Sequence, residues 1–104
     1  MLPRDHRLHP RSRVRSTIRH GRRVRSGAVV VHHVPQEGTR HAAVVAAKGV
    51  GDAVGRHRRQ RQLRHILAGM WDELPPGSLV VRALPGSVSY SALEADVQRA
   101  VRRL

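Results

Sequence analysis

Short apolar runs separated by polar turns divide the chain into alternating strand and helix segments. Three runs rich in β-branched residues, at 28–34, 42–47 and 79–84, are typical of buried strands. The sequence PQEGTR at 35–40 predicts the turn between the first two runs. Each run is far too short to cross a bilayer, so we expect no membrane partner.

Apolar residues recur at helical spacing in three further segments. We expect Ser12 to cap the first helix and Gly21 to end it in the left-handed conformation. A longer helix is predicted from Ala53 to Trp71, and a last helix opens with the capping-box sequence SALE at 91–94. The predicted apolar stripes are Leu63, Ile66, Leu67 and Met70 in the longer helix, and Leu93, Val97, Ala100, Val101 and Leu104 in the last.

These elements predict a single α+β domain over residues 1–104, in the order α-β-β-α-β-α. Aromatic residues make up only 2% of the chain, so the core must be built from Val, Leu, Ile and Ala. The first ten residues, MLPRDHRLHP, are basic and lack the apolar stretch of a signal peptide. We therefore expect residues 1–10 to be mobile and the protein to be soluble and cytoplasmic.

The net charge of +13 at pH 7 is concentrated in one part of the chain. Residues 1–65 contain 16 Lys and Arg against 3 acidic residues, whereas residues 66–104 contain 4 of each kind. Arginine outnumbers lysine 19 to 1, which suits phosphate recognition but is also typical of a GC-rich genome. An excess of this size implies a polyanionic partner and says nothing about the fold.

The segment KGVGDAVGRHRRQRQLRH at 48–65 carries the strongest functional signal. Gly49 and Gly51 precede a helix, and the start of a helix can attract phosphate. Five arginines fall between positions 56 and 64, and a helical projection places Arg58 and Arg61 opposite the apolar stripe. The pattern favours contact with nucleic acid over a merely solvated surface. A nucleotide-binding loop is disfavoured, because the Walker sequence is absent and the glycine spacing is wrong for a dinucleotide fold.

Catalytic and metal-binding patterns are missing from the sequence. The chain has no cysteine, which excludes disulfides, zinc fingers and thiol chemistry. Its eight histidines form no metal-binding motif, and no acid/base pair stands out. We therefore predict no catalytic residues, no metal site and no small-molecule substrate.

Several motifs, taken in order, resemble the protein component of bacterial ribonuclease P across nearly the whole chain. The matching stretches are MLPRDHRL at 1–8, VRSTIRHG at 14–21, AAKGVGDAV at 46–54, RHRRQRQLR at 56–64, GSLVVRA at 77–83 and SYSAL at 89–93. The chain departs from the family pattern at Gly49, Asp52, His57 and Gln60, and it has Val14 and Ile18 in place of a pair of large apolar or aromatic residues.

The resemblance implies a small, mostly antiparallel sheet packed on helices, with a left-handed β-α-β crossover around the basic helix. It also implies a subunit that assists an RNA catalyst in removing the 5′ leader of precursor tRNA, with Mg²⁺ held by the RNA and no cofactor on the protein. Contacts to the catalytic RNA subunit would come from Lys48, Arg56, His57, Arg58, Arg61 and Arg64. The precursor-tRNA 5′ leader would lie in a cleft lined by Val14, Arg15, Ile18 and a strand histidine, His32 or His33.

Two other functions fit the same composition. A structural RNA-binding protein of ribosomal type, with no part in tRNA processing, would need the same excess of positive charge. A protein that cuts RNA by itself would need an acid/base pair, which the sequence does not offer.

Overall fold

The elements follow the predicted order, with one additional strand after the first helix. In the computed structural model, which describes residues 2–47 and 49–104, the helices are α1 (Arg11–His20), α2 (Ala53–Gly69) and α3 (Tyr90–Arg102). The strands are β1 (Arg22–Ser26), β2 (Val29–Pro35), β3 (Arg40–Ala46) and β4 (Gly77–Ala83). Short 3₁₀ turns lie at Arg4–His6 and Trp71–Glu73.

The strands of the described residues form one mixed sheet in the order β1-β2-β4-β3. The β1–β2 and β2–β4 pairs are antiparallel, and β3 pairs with β4 in parallel. Because β3 and β4 run the same way, α2 must cross over the sheet to join them. The predicted α+β fold is confirmed, and the β-α-β unit is present; its left-handed sense stays a prediction.

The additional strand β1 has the sequence RRVRS, which contains one apolar residue and therefore lacks the apolar pattern that predicts a strand. It pairs with β2 so that Val24 lies opposite Val31, and Val24 packs against the core. Arg22, Arg23 and Arg25 remain exposed. A strand at the edge of a sheet can expose most of its side chains, so its sequence need not show the apolar residues by which a buried strand is predicted.

One face of the sheet packs against α2 and α3 and forms the main core. Residues at alternate strand positions point to this face, as in the Val31–Val81 and Val29–Ala83 pairs. The predicted apolar stripes of α2 and α3 are confirmed: all of their residues are buried except Leu104, which is partly buried and packed against the core. Arg58 and Arg61 are exposed on the side of α2 that faces away from this core.

The opposite face of the sheet is covered by α1. Thr17, Val30, His32 and Val80 are buried there, outside the main core cluster. His32 is 1% exposed, and neither of its ring nitrogens has a hydrogen-bond partner among residues 2–47 and 49–104. Burial lowers the pKa of His32, and the nearby Arg82 and Arg23 guanidinium groups lower it further.

The helix ends differ from the predicted caps. Ser12 lies inside α1, which begins after Pro10 without a side-chain cap. Gly21 follows the last residue of α1 as expected, but its backbone is extended, with φ −73°. A Cβ at Gly21 would lie 2.5 Å from the Thr17 carbonyl oxygen and 2.9 Å from that of His33, so glycine is needed for close approach to β2.

The start of α3 is also displaced from its predicted position. Ser89, rather than Ser91, caps the helix, and its hydroxyl accepts a hydrogen bond from the Ala92 amide at 3.2 Å. Both serines precede suitable helical residues, so sequence alone does not choose between them. The observed cap makes Tyr90 the first residue of α3.

Residues 2–8 pack against the body of the protein. Leu2 and Leu8 are buried, and the Leu8 amide donates to the Ala42 carbonyl oxygen at 2.8 Å. Arg7 also forms an isolated parallel bridge with Ala42. The segment that was expected to be mobile thus contributes side chains to the buried interior and covers part of the outer edge of β3.

The burial of His32 makes stability depend on pH. The unfolded chain binds a proton at the ordinary histidine pKa, about 6.5, whereas the folded chain binds it only at lower pH. The unfolded state therefore gains protons first as pH falls, and the free energy of unfolding decreases from about pH 6.5 downward. We expect His32→Leu to lose less stability than the wild type between pH 7 and pH 5 in denaturant titrations. A pH dependence in His32→Leu equal to that of the wild type would contradict this account.

Candidate nucleic-acid interface

Helix α2 presents a continuous basic surface away from the core. It contains five arginines and no acidic residue between Ala53 and Gly69. Arg58, Arg61, His57 and His65 are exposed. The prediction that Arg58 and Arg61 lie opposite the apolar stripe is confirmed by this exposure.

The arginines of this surface are not neutralised by neighbouring carboxylates. Among the described residues, an ion pair within 4.0 Å forms between Arg99 and Asp96 on α3, and none forms on α2. Arg59 instead donates a hydrogen bond to the Gly86 carbonyl oxygen at 2.9 Å, which ties α2 to the loop before α3. The remaining guanidinium groups are available to an external anion.

The start of α2 is occupied by the protein's own carboxylate. Asp52 caps the helix, and its Oδ1 accepts a hydrogen bond from the Gly55 amide at 2.8 Å. Gly49 and Gly51 adopt φ of +101° and +87°, which accounts for glycine at both positions of the preceding turn. The helix start is thus a capped turn rather than an open phosphate cradle. Lys48, predicted to bind RNA here, lies outside the described residues.

The basic surface of α2 has two sides. One side borders a cleft between α1 and β3, and we call it the cleft side. It carries Arg56, Gln60 and Arg64, spaced one turn apart. Arg64 also lines a hollow with Leu2 and Leu8 of the N-terminal segment. The outer side carries Arg58, Arg61 and His65, which line a second, more open hollow. The residues predicted to bind one RNA therefore face two directions.

A cleft of about 500 Å³ lies between α1 and the edge strand β3, next to the cleft side of α2. We call it the α1–β3 cleft. Val14, Arg15 and Ile18 line it, as predicted. The remaining lining residues were not predicted from the sequence; they are Leu8, Arg11, Ala43, Val44, Val45, Ala46 and Gln60.

The α1–β3 cleft combines an apolar floor with two cationic side chains. Arg11 and Arg15 belong to α1 and are exposed, whereas the β3 residues that line the cleft are small or β-branched. β3 is an edge strand, and beyond Ala42, which the N-terminal segment contacts, no described strand pairs with its outer side. The site suits an extended single strand of a polyanion, whose phosphates would contact the two arginines and whose apolar parts would contact the floor of the cleft.

The two strand histidines do not line the cleft. His33 lies opposite Leu79, on the face toward α2 and α3, and its Nε2 is 2.9 Å from the Pro76 carbonyl oxygen. This placement corrects the prediction for His33, because neighbouring strand residues point to opposite faces. His32 points to the α1 face but is buried under the helix and is not among the lining residues.

The described parts of the chain contain no group of three or more His, Asp and Glu side chains that could hold a metal ion. Within the same residues, every helix is too short or too polar to span a bilayer.

Comparisons with known proteins agree with the motifs and the fold. The family model described as Ribonuclease P matches residues 2–104. The ribonuclease P protein component of Corynebacterium diphtheriae is 41% identical over 115 residues, covering 100% of this chain and 97% of that protein. The Streptomyces bikiniensis protein of the same name is 39% identical over 117 residues, covering 100% and 95%.

Solved structures show the same fold at lower sequence identity. The ribonuclease P protein of Thermotoga maritima superposes with a TM-score of 0.82 at 18% identity, covering 94% of this chain and 96% of that one. The Staphylococcus aureus protein superposes with a TM-score of 0.83 at 14% identity, covering 94% of each chain. Because the family model and relatives about 40% identical match essentially the whole chain, the protein belongs to the ribonuclease P protein component family.

Proposed function

We propose that this chain is the accessory protein subunit of ribonuclease P. It assists the RNA-catalysed endonucleolytic removal of the 5′ leader from precursor tRNA. The proposal is carried by one observation in a member of this family: an arginine-rich helix with no ion pair to a described carboxylate adjoins a cleft wide enough for a single strand of RNA. The helix offers a surface for one RNA molecule, and the cleft offers a surface for a second.

The basic surface of α2 binds the catalytic RNA in this proposal. Its contacts come from Arg56, His57, Arg58, Arg61 and Arg64, with Lys48 at the start of the helix. Guanidinium groups bind phosphate oxygens in a bidentate way and replace the counterions that RNA otherwise holds. The protein thereby reduces the repulsion between the catalytic RNA and its substrate.

The α1–β3 cleft binds the 5′ leader of precursor tRNA. Arg15 and Arg11 contact leader phosphates, while Val14 and Ile18 provide apolar surface for the bases. These two side chains pack against bases by burial of apolar area rather than by aromatic stacking. Contacts to leader phosphates and non-specific apolar contacts to bases do not distinguish one RNA sequence from another, which suits a subunit that must accept many leaders.

The chemistry belongs to the RNA in this account. The catalytic RNA, with Mg²⁺ bound to it, supplies the hydrolysis, and the protein holds no cofactor of its own. The protein positions the leader and binds the catalytic RNA, in the cytoplasm where tRNA precursors are processed.

Reconstitution with the cognate catalytic RNA tests the proposed function. At low Mg²⁺, where RNA repulsion is poorly screened, the protein should raise the rate of precursor-tRNA cleavage. The double variant Arg58→Gln/Arg61→Gln should need more protein for the same rate. Its slope of log affinity against log salt should be shallower by about 0.7–0.9 for each phosphate that the variant no longer neutralises.

The matched control removes two charges elsewhere. Arg102→Gln/Arg103→Gln changes two exposed arginines at the end of α3 and should behave as the wild type. Tight binding of wild-type protein without any gain in cleavage would overturn the subunit assignment. Preferential recovery of ribosomal RNA with the protein would favour a structural RNA-binding role instead.

Leader binding is tested separately by Arg15→Gln. Removal of a charged hydrogen bond to phosphate, worth about 1.5 kcal/mol, should weaken binding of a precursor with a long leader roughly tenfold. Binding of mature tRNA to the same holoenzyme should not change. Arg19→Gln, an exposed arginine one turn further along α1 that does not line the cleft, is the control. Equal effects of Arg15→Gln on both tRNAs would show that the cleft does not hold the leader.

A further inference from the structure

An open hollow of about 560 Å³ joins the outer side of α2 to the first residue of α3. Arg58, Arg61, Gln62 and His65 line it from α2, and Tyr90 lines it from α3. We call it the Tyr90 surface. It is separate from the α1–β3 cleft, with which it shares no lining residue.

Tyr90 is one of two Phe, Tyr or Trp residues in the chain, and the structure uses the two differently. Trp71 is partly buried against the core, and His6 stacks on it with ring centroids 4.0 Å apart and planes at 5°. Tyr90 is 37% exposed. Its ring is 6.2 Å from that of His65 and tilted by 53°, so the two rings do not stack on each other.

The surroundings of Tyr90 favour a polyanion. Arg58 and Arg61 are exposed, lie one turn apart on α2, and form no ion pair with any described carboxylate. No acidic residue is among those that line the hollow; Glu94 lies one turn further along α3. The Tyr90 surface thus places a partly exposed aromatic ring beside two available guanidinium groups.

This combination matches the chemistry of an unpaired nucleotide. Bases that leave a helical stack are bound on aromatic side chains, while arginines bind the phosphates on either side. A regular RNA duplex would offer no free base to the ring. A bulged or looped segment of RNA would offer such a base.

We propose that the Tyr90 surface binds one unpaired nucleobase of the catalytic RNA, stacked on the Tyr90 ring and flanked by phosphates on Arg58 and Arg61. The inference rests on the proposed function and adds a base-stacking contact to it. His65 borders the base edge-on, and Gln62 offers an amide for a polar contact.

The test compares Tyr90→Ala, Tyr90→Phe and the exposed neighbour Ser91→Ala in binding to the cognate catalytic RNA. Removal of one stacked base costs about 1–3 kcal/mol, so Tyr90→Ala should weaken binding by about tenfold or more. The slope against salt should not change, because tyrosine carries no charge. Tyr90→Phe should restore the affinity, and Ser91→Ala should bind as the wild type. Alanine is well tolerated at an exposed helical position, so the fold should be kept, as thermal melting will check.

Chemical probing of unpaired bases provides the second measurement. A nucleotide of the catalytic RNA should be protected by wild type and by Tyr90→Phe, but should react in the complex with Tyr90→Ala. If the wild type binds and activates the RNA while Tyr90→Ala matches it in affinity and protection, the stacking proposal is wrong and the proposed function stands. If the wild-type protein does not bind the catalytic RNA at all, both proposals fail.

Discussion

The parallel pairing of β3 with β4 is the constraint on which the rest of the structure depends. Two neighbouring parallel strands need a crossover connection, and here α2 provides it. The sheet buries one stripe of α2, so Arg58 and Arg61 on the opposite side of the helix face outward. The same pairing leaves β3 at the edge of the sheet, where α1 can border it and form the α1–β3 cleft. One topological requirement therefore creates both surfaces that the proposed function uses.

The positive charge has a structural consequence as well as a functional one. The basic residues on α2 form no ion pair with a described carboxylate, so they repel one another in the free protein. In the proposed function, binding of RNA relieves this repulsion and adds phosphate contacts at the same positions. Arg59 is different, because its hydrogen bond to Gly86 fixes the loop that precedes α3. The basic helix thus contains both exposed arginines and one that holds a loop, and composition alone does not separate the two kinds.

Helical periodicity predicted the stripes of α2 and α3 because both helices bury one side against a single sheet face. Strand β1 was missed since its arginines are exposed at an edge that needs little burial. The placement of His33 could not be predicted, because strand alternation tells which residues share a face but not which face α1 covers. The β3 residues that line the α1–β3 cleft, and the position of Tyr90 beside α2, could not be predicted for the same reason, because both depend on tertiary contacts.

In the proposed function, α2 and the α1–β3 cleft bind two different RNA molecules. The chain has no cysteine, so Val54→Cys on exposed α2 and Ser12→Cys on exposed α1 each give a unique attachment point for a hydroxyl-radical probe. In the reconstituted holoenzyme with precursor tRNA, the probe at position 54 should cut the catalytic RNA and the probe at position 12 should cut the leader. Cleavage of the leader from position 54, or of the catalytic RNA alone from position 12, would contradict the account.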